Sequence, residues 1–253
     1  MISRGLEENT RRAALFADNQ HDGRDGSELP DEGAHPIPDY MRKRADEPTG
    51  AAVDAARVPD VIRVTLDPVG YSSKPSGKDM GAITRRMQAA GPTNITAAEF
   101  VEHVRAGKTW CAGTFKPNAF KWGAFLGQQL FAVDVDNKTK DGRQLHEGDA
   151  GFLHPLDALD RCEKHRILPL CLYFTFSAVC TGVDATSTHR YRIVFDAGRP
   201  LGREDAEDTR RRLLALFPEA DAACKNVTRL WLGSNGEVWE IAKAWKGAVP
   251  WTS

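Results

Sequence analysis

The distribution of apolar and polar residues divides this chain of 253 residues into two unlike parts. Large apolar residues are sparse over residues 1–58, where glycine, proline and mixed charges are frequent. Such a segment buries too little apolar surface to offset the entropy of the chain, so we predict a mobile tail there. Apolar runs and amphipathic stretches fill residues 59–253, and we predict one folded domain over that range.

Runs of apolar residues within this domain predict the strands of a sheet. The strands are predicted at residues 61–66, 130–135, 168–176 and 189–195, with a closing hairpin formed by 229–232 and 237–241. Helices are predicted at residues 97–105, 155–165 and 204–217, and residues 67–94 are predicted to be mostly loop, broken by one short helix near residues 82–89. Thr96 and Glu99 form a capping box before the first helix, and the basic run 210–212 of the last is predicted to face solvent. Helices that alternate with strands favour an α+β fold.

Two aspartates at the end of the strand predicted at 130–135 are the first candidate functional residues. Asp134 and Asp136 are separated by one residue, and residues i and i+2 of a strand point to the same face. Two ionised carboxylates on one face repel each other, and a divalent cation such as Mg²⁺ or Mn²⁺ would remove the repulsion. In the metal-free protein, loss of either acid would then be expected to raise stability. The alternative is a strand that runs into a polar turn and leaves Asp134 on a solvated face.

Two further motifs follow in order along the chain. Ser187 lies in the turn before the strand predicted at 189–195, and His189 begins that strand. Asp221 follows the helix predicted at 204–217. A DxD pair, a Ser-x-His and a later single acid resemble the three motifs of the archaeo-eukaryotic primase superfamily. The resemblance is closest to primase-like replication proteins of phages, prophages and plasmids, and it covers about residues 60–241.

This resemblance implies a catalytic core over residues 59–253, in which a mixed or antiparallel sheet, an RRM-like unit, is layered with helices. It implies a template-directed nucleotidyltransferase, a DNA primase or primase-polymerase, that makes primers on single-stranded DNA from nucleoside triphosphates. Two Mg²⁺ or Mn²⁺ ions would be bound by Asp134, Asp136 and Asp221, and no zinc is expected. The sequence has no GxxxxGK[ST] motif, so two alternatives stay open: a separate replicative helicase as partner, or a chain that is a fragment of a longer primase-helicase.

Candidate nucleotide-binding residues surround the second and third motifs. They are Ser187, His189, Arg190, Arg192, Lys225 and Arg229. His189 is expected to donate to the triphosphate, as its counterpart does in the family, and Ser187 to position the loop or contact a phosphate. Arg190 and Arg192 are secondary candidates, because on a regular strand they would project to the face opposite His189. The last two candidates could also be surface charges.

Composition and charge restrict the interpretation further. A net charge of −1 argues against a tight, non-specific DNA binder but not against a local basic groove. Aromatic residues interleaved with lysines at 109–127 could stack bases and bind phosphates, although packing beside the core is the alternative. Five cysteines without a CxxC pair indicate reduced thiols in a cytoplasmic protein. No apolar run is long enough to span a membrane and no secretory signal is predicted, so no membrane partner is expected.

Two other functions are compatible with the same residues. A metal-dependent nuclease, or another nucleotidyltransferase, could use the three acids, and the dependence of activity on nucleoside triphosphates would distinguish a nuclease from a primase. A non-catalytic replication or DNA-binding module could keep the fold without turnover. The presence of all three acids and of His189 argues against this last function.

Overall fold

A computed structural model describes residues 61–139, 141–178, 189–234 and 237–241 of the protein. The tail predicted at residues 1–58 lies outside the described residues, as does Ser187 of the Ser-x-His motif. The described residues form nine strands and four α-helices, and the strands make two antiparallel sheets. The predicted α+β class is therefore confirmed.

The elements have the following bounds. The strands are β1 (Ile62–Gly70), β2 (Pro92–Ile95), β3 (Lys108–Cys111), β4 (Gly113–Phe115), β5 (Phe125–Val135), β6 (Pro169–Phe174), β7 (Tyr191–Leu201), β8 (Leu230–Trp231) and β9 (Val238–Glu240). The helices are α1 (Gly77–Ala90), α2 (Ala97–Arg105), α3 (Pro155–Lys164) and α4 (Arg203–Leu216). Short 3₁₀ turns cover Trp122–Ala124 and Ala222–Lys225.

The two sheets have the strand orders β2-β1-β3-β8 and β4-β5-β7-β6-β9. Strand β8 pairs with β3, and β9 pairs with β6 in the other sheet. The hairpin predicted for residues 229–232 and 237–241 is therefore wrong. Two such short strands would be marginally stable as an isolated hairpin, whereas each of them here extends the edge of a larger sheet.

Alternation along β5 explains how the sheets and helices are layered. Phe131, Val133 and Val135 belong to the core that α3 and α4 cover. Leu130 and Ala132 belong to the core shared with the four-stranded sheet and α2. Strand β5 is buried on both faces from residue 127 to its end, its polar residues Gln128, Gln129 and Asp134 included. A polar residue on this strand is thus placed inside the protein rather than in solvent.

Two capping boxes decide where the first helices begin. The predicted box before α2 is confirmed, since the Thr96 N–H donates to Glu99 Oε2 at 2.7 Å and the Glu99 N–H donates to Thr96 Oγ1 at 3.2 Å. A second box, Ser76 with Asp79, opens α1. The helix is longer than the mostly loop-like interpretation of residues 67–94 allowed. Gly77 and Gly81 lower its helix propensity, and packing against β1 and β3 compensates.

Helix α4 is less exposed than its basic run suggests. Arg210 is buried and donates to Gln128 Oε1 on β5, so the prediction that the run faces solvent is wrong at this residue. Arg211 and Arg212 are exposed and both pair with Asp208.

Candidate functional site at the end of strand β5

Asp134 lies near the carboxyl end of β5 and is only 3% exposed. It stands on the same face as Ala132 and Leu130, toward the four-stranded sheet. Its register partner on β7 is Arg192, whose Nε donates to Asp134 Oδ1 at 3.1 Å. The alternative of a solvated Asp134 is therefore wrong, because the strand carries this carboxylate into the interior.

Arg229 joins Asp134 to the third acid. One guanidinium nitrogen of Arg229 donates to Asp134 Oδ2, and Nη1 donates to Asp221 Oδ2 at 2.8 Å. The Asp221 backbone N–H also donates to the Asp134 carbonyl oxygen at 2.8 Å. Three distant segments thus meet in one acid–arginine cluster, which consists of Asp134, Asp221, Arg192 and Arg229.

Aromatic rings support the two arginines of the cluster. The Arg229 guanidinium carbon lies 4.8 Å from the centroid of the Trp231 ring, and that of Arg192 lies 5.6 Å from it. Arg192 also lies 5.7 Å from the Tyr173 ring and donates to the Leu232 carbonyl oxygen at 2.5 Å. Such cation–π contacts and hydrogen bonds offset part of the cost of burying two guanidinium groups.

Burial and charge act in opposite directions on the cluster. Burial alone would lower the pKa of Arg192, but Asp134 and Tyr173 raise it above its ordinary value. Burial likewise lowers the pKa of Arg229, but Asp134 and Asp221 together raise it above its ordinary value. The pKa of Asp221 is raised by burial but lowered overall by the Ala223 N–H and by Arg229. Both arginines are therefore charged at neutral pH, as is Asp221.

Asp136 lies just beyond the end of β5, and it is half-buried. Its carboxylate makes no ion pair with any residue that the structure describes. The next residue, Asn137, takes a left-handed backbone conformation with φ of 47°, which asparagine tolerates better than most residues. The chain therefore turns immediately after the DxD motif, and Asp136 does not continue the strand on which Asp134 stands.

Sequence reasoning did not single out Asn137, which organises this turn. It is buried, its Nδ2 donates to the carbonyl oxygens of Leu153 at 3.1 Å and of His189 at 2.7 Å, and its Oδ1 accepts from the Leu153 N–H at 2.8 Å. Asn137 thereby ties the DxD motif to the backbone of His189. An asparagine directly after a buried strand and the acid pair was the available signal, since this residue favours turns.

His189 packs away from the acid–arginine cluster. Its ring contacts Phe152, His154 and Phe174, with ring centroids 5.8, 5.1 and 6.4 Å away. Phe174 belongs to the helix-covered core, on the face of the sheet opposite Asp134. Burial, and next the charge of His154, lower the pKa of His189, so that the ring is neutral at pH 7. Its Nδ1 is buried and has no partner among the described residues.

The other predicted nucleotide-binding residues occupy separate positions. Arg190 donates from Nη2 to Gln144 Oε1 at 2.6 Å, in the loop that follows the DxD motif. Lys225 is exposed at the end of the 3₁₀ turn that Asp221 caps. Ser187 lies outside the described residues. The structure thus brings Asp134, Asp221, Arg192 and Arg229 together, and it places the side chains of His189, Arg190 and Lys225 elsewhere.

Two predictions about the charged residues change. Arg192 was expected to project away from the site, but it stands on the face of Asp134, because β7 pairs with β5 in that register. Removal of either acid was expected to relieve repulsion. For Asp134 the structure reverses this expectation, since two arginines surround it and its loss would leave a buried guanidinium without its carboxylate.

The acids have the hard oxygen ligands that Mg²⁺ and Mn²⁺ prefer. In the described arrangement, however, they do not fit a pair of cations. Both carboxylate oxygens of Asp134 accept from arginines, and Arg229 lies between Asp134 and Asp221. Among the residues that the structure describes, no three His, Cys, Asp or Glu side chains form a group that could bind a metal ion.

Comparison of the chain with known protein families, curated proteins and solved structures finds no match. None of the described helices is both long and apolar enough to cross a membrane. The resemblance to the primase superfamily therefore depends on the three sequence motifs alone.

Proposed function

We propose that this protein is a template-directed nucleotidyltransferase of the archaeo-eukaryotic primase type, which makes primers on single-stranded DNA. The observation that supports the proposal best is the meeting of the first and third motifs. Asp134 and Asp221 are joined by a backbone hydrogen bond of 2.8 Å and share the guanidinium of Arg229. Motifs that match a family in order, and whose acids also converge in space, are what a shared catalytic site requires.

In this proposal Asp134, Asp136 and Asp221 would hold Mg²⁺ or Mn²⁺, although the described arrangement does not fit a pair of cations. A bound cation would supply activation of a 3′-hydroxyl and charge stabilisation of the leaving pyrophosphate. The residues of the chain would bind and orient the nucleotide: Ser187 and Arg190 are proposed to contact its phosphates. His189 could join them only after its ring leaves the helix-covered face of the sheet, because it packs against Phe174 on the face opposite Asp134. The carboxylates can serve in this way only if Arg229 turns away from Asp134.

The phosphates of a nucleoside triphosphate would give Arg229 an alternative anionic partner to Asp134. One guanidinium group can bind two oxygens of a phosphate at once, through strong, charge-assisted hydrogen bonds. Arg229 is partly exposed and is shared between two acids, whereas Arg192 is deeply buried beside Asp134. We therefore assign the exchange from carboxylate to phosphate to Arg229, while Arg192 stays to position Asp134.

One observation favours a second function. Both oxygens of Asp134 are already satisfied by arginines, as they would be in a purely structural cluster. This arrangement suits the non-catalytic replication or DNA-binding module, in which the acids maintain the fold. The two functions differ in whether the protein incorporates nucleotides at all.

Primer synthesis on single-stranded DNA with labelled nucleotides tests the proposal, in the presence of Mg²⁺ or Mn²⁺. The decisive variant is Asp136→Asn, because this half-buried residue has no ion pair among the described residues and its loss should leave the fold intact. We expect incorporation to fall by about 100-fold or more, since even removal of a residue that only supports a metal ligand costs 10–100-fold. Asp160→Asn, an exposed position on α3, is the matched control and should retain full activity.

Two outcomes would count against this function. Incorporation by Asp136→Asn at the wild-type rate would remove the DxD motif from catalysis. Absence of incorporation by the wild-type protein with either metal and with both ribo- and deoxyribonucleotides would favour the non-catalytic module.

A further inference from the structure

A cavity of about 650 Å³ lies beside α4 and outside the acid–arginine cluster. Three segments form its walls: the loop between β4 and β5, the middle of α4, and the turn between the 3₁₀ segment Ala222–Lys225 and β8. The residues that line the cavity include Phe120, Lys121, Arg211, Lys225, Asn226 and Thr228. None of them belongs to the three motifs. Lys225 is among the predicted nucleotide-binding residues.

The charge of the cavity is positive although that of the whole chain is not. Four of the residues lining it are arginine or lysine, and only one, Glu207, is acidic, whereas the chain has a net charge of −1. Arg211 pairs with Asp208 and Arg210 donates to Gln128, so the charge available to a ligand is mainly that of the two lysines. Lys121 and Lys225 are exposed and make no ion pair with a described residue. Cations without carboxylate partners around a concave surface attract a polyanion.

The wall also offers hydrogen-bond donors. In the turn at residues 226–229, Asn226 Oδ1 accepts from the Thr228 N–H at 3.0 Å and from Thr228 Oγ1 at 2.9 Å. The acceptor oxygen of Asn226 is thus used within the turn, and its amide group contributes donors to the lining. Donors beside lysines suit phosphate oxygens better than they suit a cationic or apolar ligand.

One aromatic ring gives the cavity a flat apolar surface. Phe120 is half-buried, and its ring packs against Phe115 in a tilted arrangement, with centroids 4.7 Å apart and an interplanar angle of 32°. Phe115 is itself buried in the core with Ile83 and Met87. The ring of Phe120 is therefore fixed from one side, and it lines the cavity as a platform on which a base can stack.

The cavity is connected to the candidate site through a single short segment. Asp221 and Arg229 belong to the acid–arginine cluster, and Lys225 and Thr228, between them in sequence, line the cavity. The Arg229 N–H donates to the Asn226 carbonyl oxygen at 3.1 Å, which fixes the turn that joins the two. A ligand long enough to leave the cavity along this segment would reach the acids.

We propose that this cavity binds the phosphodiester backbone of a single-stranded nucleic acid, with Lys121 and Lys225 on phosphates and Phe120 under a base. The proposal rests on the proposed function in naming a polynucleotide, and it adds the surface on which the strand lies. Combined cations and a stacking ring are the usual means of binding single strands without sequence preference.

Fluorescence anisotropy of a labelled oligothymidine of about 16 nucleotides, a length within the range of single-strand sites, tests this inference with the full chain. The double variant Lys121→Glu/Lys225→Glu should bind about tenfold more weakly or worse, and the slope of log K against log salt should decrease by about 1.4, for two lost phosphate contacts. Phe120→Leu, which keeps an apolar side chain, should lose about fivefold or more in affinity without a change of this slope.

The control is Lys78→Glu/Lys164→Glu, which changes the net charge equally at exposed positions that do not line the cavity. It should bind within about twofold of wild type if contact rather than the overall field determines affinity. Equal losses in both double variants would overturn the assignment, as would a wild-type protein that does not bind the oligonucleotide. Competition by inorganic phosphate, where chloride of equal ionic strength does not compete, would also overturn it in favour of a small-anion site.

The binding assay and the proposed catalysis can fail separately. Asp160→Asn should bind the oligonucleotide as tightly as wild type does, because this exposed residue lies outside both the cavity and the acid–arginine cluster. If wild type binds through the cavity but incorporates no nucleotide, the assignment of the binding site is supported and the proposed enzymatic function is wrong. If wild type incorporates nucleotides while the cavity variants bind normally, the enzyme stands and the cavity assignment is wrong.

Discussion

Two buried aspartates of this protein, Asp67 and Asp134, differ in how arginines neutralise their carboxylates. Asp67 on β1 is fully buried and accepts from Arg86 Nε at 2.6 Å and Nη2 at 2.7 Å, a two-point pair that attaches α1 to the four-stranded sheet. Asp134 on β5 instead accepts from two arginines of different segments, and one of these also binds Asp221. The carboxylate of Asp67 forms its ion pair with a single arginine. Arg229 is shared between two carboxylates, so it can leave one of them for another anion and keep the other.

The environments of the arginines differ as well. The Arg86 side chain is 31% exposed, so that it can reach water if its carboxylate is removed. The Arg192 side chain is 10% exposed and lies between β7, Tyr173 and Trp231. The same substitution should therefore have a larger effect at Asp134 than at Asp67, because the remaining charge is more deeply buried.

The largest effect is expected from Asp134→Ala. It should lower the free energy of unfolding by about 3–5 kcal/mol, the cost of leaving a buried cation without its partner. Asp67→Ala should cost about 1–3 kcal/mol, because Arg86 can be hydrated. Urea unfolding followed by circular dichroism measures both. Equal costs, or an Asp134→Ala protein more stable than wild type, would show that the two aspartates do not differ as described.

Replacing both members of the buried pair should recover most of that loss. Asp134→Leu/Arg192→Met is expected to unfold within about 1–2 kcal/mol of wild type, because well-packed apolar residues often substitute for a buried ion pair without net cost. Arg229 keeps Asp221 as its partner in this variant. Unfolding of the two single variants and the double variant gives the coupling energy. Strictly additive losses would mean that Asp134 and Arg192 do not stabilise each other.

A smaller effect should distinguish the shared arginine from the dedicated one. Arg229→Gln vacates the space between Asp134 and Asp221, and Mn²⁺ should then stabilise the protein by about 1 kcal/mol more than it stabilises wild type. This difference corresponds to about 2–4 °C in Tm for a chain of this size. Thermal unfolding with Mn²⁺ and with a chelator measures it. Arg86→Gln is the control, and a manganese effect that is the same in both variants would contradict the role of Arg229.

The smallest effect concerns pH and lies outside both carboxylate sites. Burial lowers the pKa of His103, and burial with His154 lowers that of His189, from the ordinary value of 6.5. The unfolded chain therefore binds more protons than the folded one as the pH falls below about 6.5, and stability is lost in that range. His103→Gln and His189→Gln should each make the loss between pH 7.5 and pH 5.5, about one unit on either side of 6.5, less steep. An unchanged pH dependence of urea unfolding would contradict these environments.

Capping and alternation explain which parts of the fold were predictable. The Thr96 box, the amphipathic α3 and the apolar β5 are local patterns, and the structure has them close to the predicted residues. The box at Ser76 is equally local but was not predicted, and the helix predicted near residues 82–89 begins earlier, at Gly77. At α1 the capping box favours a helix and the glycines disfavour it, and packing against β1 and β3 determines that the helix forms. These long-range contacts cannot be inferred from a single sequence.

The sequence by itself determined the fold class, a strand ending at Val135 and three acids worth testing, because periodicity, capping and residue chemistry act over a few neighbouring positions. Only the tertiary structure decided that β8 and β9 join different sheets and that Arg192 faces Asp134. It also placed Arg229 between Asp134 and Asp221. The partners of a strand edge or of a charge lie far away in sequence, and their choice depends on the packing of the whole domain, which no local pattern encodes.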